Sequence, residues 1–417
     1  MSLRRPTPHA VEVRRGPASW LRYYCEMEAF AQGHLVEESV RLIAGWYGVP
    51  DFVYRPVQHA VRSGTREVSD GLLVAGDRGV IVQVKSRDRS RAVMDSPQRA
   101  EAWCAKEGAR GADQGRGTRR TISGGAVRVR SLRGYERVLP AAKNWPIVVV
   151  LDHRNAPPVT FLDSADILFI SYADWRELHE LIRSTVGVID YVERALSSGI
   201  SVALGLESRR YRALAAADSA WAEEIPTGVP ILPAGRMAAA DRQAADFFDE
   251  LVEKVADSRG AIGWDDQNYL LIVEQLDQVP VGTRARLGTK LIATLEKVSP
   301  RQPSHGFWYG DRQSSARLCF RCELFERTTH GPDGEDFLIT LTSYCALRHS
   351  QAIEAGWNPE VPTLAIGLLH DPMKGTRYVF ASLRGDDLPC LPDDVREALE
   401  RQYGVFTGDA VVVPVGS

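Results

Sequence analysis

The sequence predicts an α/β fold: a mixed β-sheet flanked by helices in the first half of the chain, followed by a separate α+β domain. Three observations carry this. Pro146–Asp152 (PIVVVLD) and Ile167–Tyr172 (ILFISY) are apolar runs of strand length, the pattern of strands buried on both faces. Segments with helical spacing lie between and after the strands, and that alternation indicates a mixed sheet. Pro226–Arg236 (PTGVPILPAGR), with three prolines and two glycines, reads as a linker, which divides the chain into 1–225 and 237–417.

Taken in order, Ala18–Trp46 reads as the first helix. Apolar residues at 35, 36, 40, 43, 46 and 47 form a stripe at helical spacing, and Gly48-Val49-Pro50 ends it. Asp51–Pro56 is expected to be extended. Arg66–Val74 is a strand, Gly76-Asp77-Arg78-Gly79 a turn, and Gly79–Lys85 (GVIVQVK) a strand with strict alternation, so the two strands form a hairpin. Gln98–Gln114 is expected to be helical and Gly115–Gly125 a loop. Asp174 would cap a helix running through Ile189. Beyond the linker, Ala238–Val255, Thr283–Val298 and Phe337–Ala355 read as helices, and Ser315–Arg327, Thr363–His370 and Arg377–Leu383 as strands.

The 417 residues suffice for two or three domains, and 44% apolar with 25% charged residues excludes collagen-like and globally disordered chains. No apolar run approaches the ~20 residues of a membrane helix. The basic N-terminus lacks the apolar stretch of a signal peptide, and six cysteines make no disulfide framework, so a cytoplasmic setting without membrane contact is expected. The net charge of −3 hides an asymmetry: residues 1–200 carry 29 Lys/Arg against 23 Asp/Glu, and the remainder 22 against 31. Such a balance suits an anionic partner, nucleic acid above all, at the front half.

The stretch REVSD-GLLVAGDRGVI-VQVKSRD carries the chemistry. Gln83 and Lys85 share one face of their strand, while Val82 and Val84 take the other. The hairpin can bring Asp70, near one end of the first strand, to the same sheet edge. A carboxylate and an amide oxygen suit a hard divalent cation, and a lysine beside them can orient water and offset phosphate charge. Phosphodiester hydrolysis assisted by a metal needs those functions. An edge strand whose Gln and Lys simply face water is the plain alternative.

This order of features resembles the PD-(D/E)XK, or restriction-endonuclease-like, nuclease superfamily: a helix with a Glu, a strand presenting an Asp, and a strand presenting (Glu/Gln)-x-Lys. The helix GHLVEESVRLIAGWYGV is similar to the Gly-x-x-(apolar)-Glu opening of the branch around Mrr-type enzymes and Holliday-junction resolvases. The resemblance spans residues 18–115, at most to 195. It implies a restriction-endonuclease-like sheet, with Glu37, Asp70 and Gln83 at the metal and water and Lys85 positioning the nucleophile. Gln83 replaces the usual Glu, and Ser69 precedes Asp70 in place of Pro. Glu38 competes with Glu37, since helical steps of ~100° let only one face the strands. The implied activity is a Mg²⁺- or Mn²⁺-dependent nuclease, acting on DNA, with defence against foreign DNA by analogy. The alternatives are an inactive module that binds through the same fold, and an effector that a ligand or partner at 237–417 switches on. Two copies would serve a double-strand cut.

Downstream, Trp103, Lys106, Arg110 and Gln114 lie on one helical segment, and Gln114 could reach phosphate. Arg116, Arg119 and Arg120 in the expected loop, with Arg128, Arg130 and Arg133 beyond, could track a nucleic-acid backbone. Arg128 and Arg130 share a strand face in VRVR. Cys319-Phe-Arg-Cys322, with Cys345 and His349 downstream, fits zinc poorly, because on a strand the first two cysteines face opposite sides. Trp308, Tyr309, Arg312, Arg317 and Arg321 read as a packed aromatic core with exposed arginines. His59 is expected in a surface loop.

Overall fold

The computed structural model describes residues 32–56, 59–61, 64–66, 69–125, 127–139, 141, 144–161, 165–221, 229–233, 242–258, 266–301, 304–311, 316–325, 335–371, 375–385 and 393–403. The expected helix start at 18–31, Arg312, and much of the linker lie outside them. The first helix, α1 (Gln32–Tyr47), lays Val36, Val40 and Ala44 in a buried cluster with Val82 and Val84. Its last turn closes with the Gly48 N–H donating to Ala44 O at 2.9 Å. The next residues correct the extended expectation: Pro50–Phe52 form a single 3₁₀ turn before β1 (Val53–Pro56), with Pro50 leading and Asp51 buried on Arg133.

The expected strand Arg66–Val74 is two pieces. Arg66 belongs to a small ribbon, β2 (His59–Val61) with β3 (Gly64–Arg66), so His59 is a strand residue and not a loop residue. Asp70 sits in a bend ahead of β4 (Gly71–Ala75). β4 pairs antiparallel with β5 (Arg78–Ser86) from Gly71↔Val82 to Ala75↔Arg78, around a Gly76-Asp77 turn in which Gly76 takes φ 58°. The hairpin is therefore as the alternation predicts.

After a short α2 (Arg89–Met94) comes α3 (Pro97–Ser123), which corrects the helix-then-loop expectation. Its glycines lower helix propensity by ~1 kcal/mol each, but three of them face the sheet. A Cβ on Gly111 would lie 2.7 Å from Val149 and one on Gly115 2.5 Å from Ile147, so bare backbone lets the helix approach. Arg116, Arg119 and Arg120 are thus helical. The sheet continues through β6 (Val127–Ser131), β7 (Glu136–Leu139), β8 (Ile147–Asp152) and β9 (Ile167–Ser171). Its order is β7-β6-β1-β4-β5-β8-β9, with β5–β8 and β8–β9 parallel and the other pairs antiparallel.

The expected single helix from Asp174 to Ile189 is two. Ser171 is the cap of α4 (Tyr172–Ile182) and Asp174 its reciprocal partner, Arg183 turns the chain at φ 52°, and Ser184 caps α5 (Thr185–Ser197). α6 (Glu207–Ala220) follows, and the linker residue Leu232 docks on it through an N–H to Asp218 at 2.9 Å.

The second half holds a four-stranded sheet in the order β10 (Ser304–Asp311), β11 (Ala316–Leu324), β12 (Thr363–Asp371), β13 (Gly375–Leu383), with β11–β12 parallel. α7 (Arg242–Ser258), α8 (Asp266–Asp277) and α9 (Val281–Lys297) lie on one side, and α10 (Glu335–Glu354) makes the parallel crossover on the other. α8, β10 and α11 (Asp393–Tyr403) go beyond the sequence reading. The halves share one buried cluster: Val80, Val186 and Ile189 sit in it with Val252, Tyr269 and Leu276. The Val186 N–H also donates to Asp277 Oδ2 at 2.8 Å. No helix among the described residues is long and apolar enough to cross a membrane.

Candidate functional site

The β4–β5 hairpin builds the polar cluster. One Asp70 carboxylate oxygen accepts the Val84 N–H at 2.7 Å, which ties the bend before β4 to the end of β5. The Lys85 ammonium lies 3.9 Å from that same oxygen and donates to its neighbour Val84 O at 3.0 Å. Alternation puts Gln83 and Lys85 on the α3 face. Gln83 is 3% exposed and donates its amide N–H to Thr118 Oγ1 at 3.3 Å, a contact that uses the nitrogen and not the oxygen. The Lys85 stem passes 3.6 Å from where a Gly111 Cβ would stand, so the helix glycines that admit the sheet also admit this side chain.

The two glutamates of α1 part company. Glu38 is buried, and Arg41 at 2.6 Å and Arg55 hold its carboxylate. Glu37 turns toward the hairpin. Burial first, and then the Asp70 charge, raise its pKa above the ordinary carboxylate value, against the opposing pull of His34 at 3.2 Å and of Arg41. Arg41 also donates to the Asp70 carbonyl, so it joins the helix to the bend. Sequence reasoning gave Arg41 and Thr118 no role. The signal for Arg41 was its spacing, one turn after Glu37 and Glu38.

Two carboxylates that repel each other are hard oxygen groups of the kind Mg²⁺ or Mn²⁺ takes, and Gln83 lies one residue along β5 from Val82, the partner of Gly71. Among the described residues no three His, Cys, Asp or Glu side chains form a group that could hold a metal ion, so a site here would depend on Gln83 as its third donor.

A second polar cluster closes the same end of β5 and β8. Asp95 accepts from Arg87 Nε at 3.0 Å and lies 3.2 Å from His153 Nε2, and these two partners, Arg87 foremost, lower its pKa. His153 packs on Trp103 with ring centroids 5.3 Å apart. Each group there is matched, so the cluster fixes α2 and the end of β8.

Three of the α3 arginines lie beside acids. Arg110 lies 3.6 Å from Glu107, Arg116 pairs with Asp113 at 3.0 Å, and Arg119, largely buried, pairs with Asp166 at 2.7 Å. Arg120 is exposed and Gln114 half-buried. Arg133 is not available to a ligand, since Asp51 and Glu253 hold it at 2.7 and 2.6 Å. Arg128 and Arg130 do point outward together from β6.

In the second half, Cys319 and Cys322 fall in different core clusters on opposite faces of β11, and burial pushes the Cys322 and Cys345 thiols up to about 12. His349 is spent on Thr363 at 2.8 Å, so these residues do not converge on zinc. The expected exposed arginines are buried: Arg317 is 2% exposed, held by the carbonyls of Val361 and Asn358, and Arg321 pairs with Glu323. The loop after α10 covers Arg317, 5.1 Å from the Trp357 ring, and Phe337 of α10 lies 5.8 Å from Arg321. No family model, curated protein or solved structure matches this chain, so its assignment rests on the residues themselves.

Proposed function

We propose that this protein is a divalent-metal-dependent nuclease that hydrolyses phosphodiester bonds of nucleic acid, DNA foremost. Glu37, Asp70 and Gln83 would hold Mg²⁺ or Mn²⁺, and Lys85 would position the attacking water. The observation that carries this reading is the Asp70–Lys85 pair at 3.9 Å with the Glu37 carboxyl raised by burial and then by Asp70, at the open end of a hairpin whose middle, residues 72–74 and 80–82, is buried and apolar. Bound there, the ion would polarise the phosphate and lower the pKa of water. The chain supplies the rest. The Val84 N–H fixes the orientation of the Asp70 carboxylate, and the Lys85 ammonium offers a positive charge where the attacked phosphate gains negative charge. Attack forms one P–O bond to water and breaks the P–O bond to the departing sugar oxygen, which takes up a proton.

The substitution of an amide for a third carboxylate favours a second reading, a nucleic-acid-binding module that keeps the scaffold without turnover. Digestion of supercoiled plasmid by the full chain separates the two. With Mn²⁺ the plasmid should be nicked, EDTA should stop the reaction, and Lys85→Ala should slow it by ~10²-fold or more. Intact plasmid under Mg²⁺ and Mn²⁺ alike would leave only the binding module.

A further inference from the structure

The polar cluster has two approaches, one along α3 and one across β1 and β6, where the inner cations Arg41 and Arg55 are held by Glu38. On α3, Arg119 is largely buried on Asp166, Arg110 and Arg116 face acids of their own helix, and Arg120 is exposed. Across the other side runs a row set by strand register. Val82 pairs with Gly71, Tyr54 pairs with Leu72 and so brings Arg55 alongside Gly71, and Arg55 pairs with Arg130. Arg41 stands over the start of this row, its Cγ 3.4 Å from where a Gly71 Cβ would be, and donates to the Asp70 carbonyl. Arg128 and Arg130 share the exposed face of β6, whose alternate residues Val127, Val129 and Ser131 are buried.

Adjacent strands are ~4.8 Å apart and alternate residues along a strand ~6.8 Å apart. The guanidiniums thus form a band that starts beside Asp70 and leads off the sheet. Two features leave the outer part of it open to a polyanion. Arg128 has no ion-pair partner among the described residues. The Arg130–Glu136 pair at 3.0 Å is about half exposed on both sides, the kind of contact that contributes little and that a phosphate can replace. Val138, paired with Arg128 and 54% exposed, adds an apolar contact for sugar on the same face.

We infer that duplex DNA enters across β1 and β6, with one phosphate backbone meeting Arg130 and Arg128 at the outer end of this row, and not along α3. The inference rests on the proposed nucleic-acid reading and names the path to that site. The test is anisotropy of labelled duplex DNA with the full chain in EDTA, over a range of salt, beside the plasmid-nicking assay. Arg128→Glu with Arg130→Glu should weaken binding at least tenfold and reduce the slope of log affinity against log salt by about two, since each lost phosphate contact removes ~0.9. Arg128→Gln with Arg130→Gln should fall between, and Arg176→Glu with Arg209→Glu, on exposed faces of α4 and α6, should leave binding unchanged. The path is wrong if the β6 pair leaves affinity and slope intact, if Arg110→Glu with Arg116→Glu costs more than the β6 pair, or if the wild type binds no duplex at low salt. Nicking that persists with binding indifferent to Arg128 and Arg130 sinks the path and keeps the nuclease. Binding that depends on those arginines without any metal-dependent nicking sinks the nuclease and keeps the path. Single-stranded DNA or RNA bound in preference to duplex through the same arginines would overturn the choice of duplex.

Discussion

The two ends of the β4–β5 hairpin each gather carboxylates around a cation, and they do so in opposite ways. At the turn, Arg78 is bound by Asp190 and by Glu193 at 2.8 Å, while Glu274 of α8 presses its carboxylate to 3.2 Å from where a Gly76 Cβ would stand. Burial raises Glu274 to about 7, against the pull of Arg78. At the open end, Lys85 stays 3.9 Å from Asp70, and the neighbour that perturbs Glu37 after burial is another carboxylate. Direct hydrogen-bonded pairs at the turn complete each other and fasten α5 to the hairpin. The open end holds like charges close with a cation at arm's length. That arrangement is costly until something else arrives, which is why the open end, and not the turn, is the candidate site.

The largest expected effect separates chemistry from structure at the open end. Asp70→Asn keeps an oxygen that can accept the Val84 N–H but loses the charge. Plasmid nicking should fall by ~10³-fold or more while the melting temperature moves little. Equal loss of both would make Asp70 a structural residue. The turn should behave in the reverse sense. Glu274 ionises near 7 in the folded chain and near its ordinary value of 4.5 when unfolded, so between those values the folded state alone keeps the proton. Stability therefore falls as pH rises through that window. Glu274→Gln should remove the fall and raise stability at pH 8 by up to about 3 kcal/mol, with no gain below pH 4.5, as urea denaturation at several pH values would reveal. A pH-independent difference would place the cause elsewhere. Arg78→Ala should be milder, about 1–2 kcal/mol, because its side chain is 37% exposed and its pairs are partly screened. Activity per folded molecule should hold.

Much of this hairpin was legible because alternation is a local signal: Gly79–Lys85 could only be a strand with Gln83 and Lys85 on one face. What sequence could not yield was set by distant partners. Gly115 reads as a helix breaker until Ile147 explains it, and Arg119 reads as a free cation until Asp166 pairs with it. The choice between Glu37 and Glu38 depended on Arg55, seventeen residues on, which captures Glu38. Arg317 reads as exposed because a single arginine says nothing of the loop carbonyls that hold it.

The smallest effect bears most directly on why the two ends differ. Gln83→Glu would add a third carboxylate at a position 3% exposed, one residue along β5 from Val82, the partner of Gly71 next to Asp70. Without metal the added charge is buried, so the apo chain should lose stability; Thr118 can soften this by turning its hydroxyl to donate. A divalent ion reverses the balance, because each added anionic oxygen strengthens its hold. The Mn²⁺-induced rise in melting temperature should therefore be larger for Gln83→Glu than for the wild type, with Mn²⁺ affinity by calorimetry up about tenfold, or ~1.4 kcal/mol. The open end would then need its cation as the turn needs Arg78. If Mn²⁺ shifts neither protein, the carboxylates at the open end do not share an ion, and the contrast with the turn reduces to exposure alone.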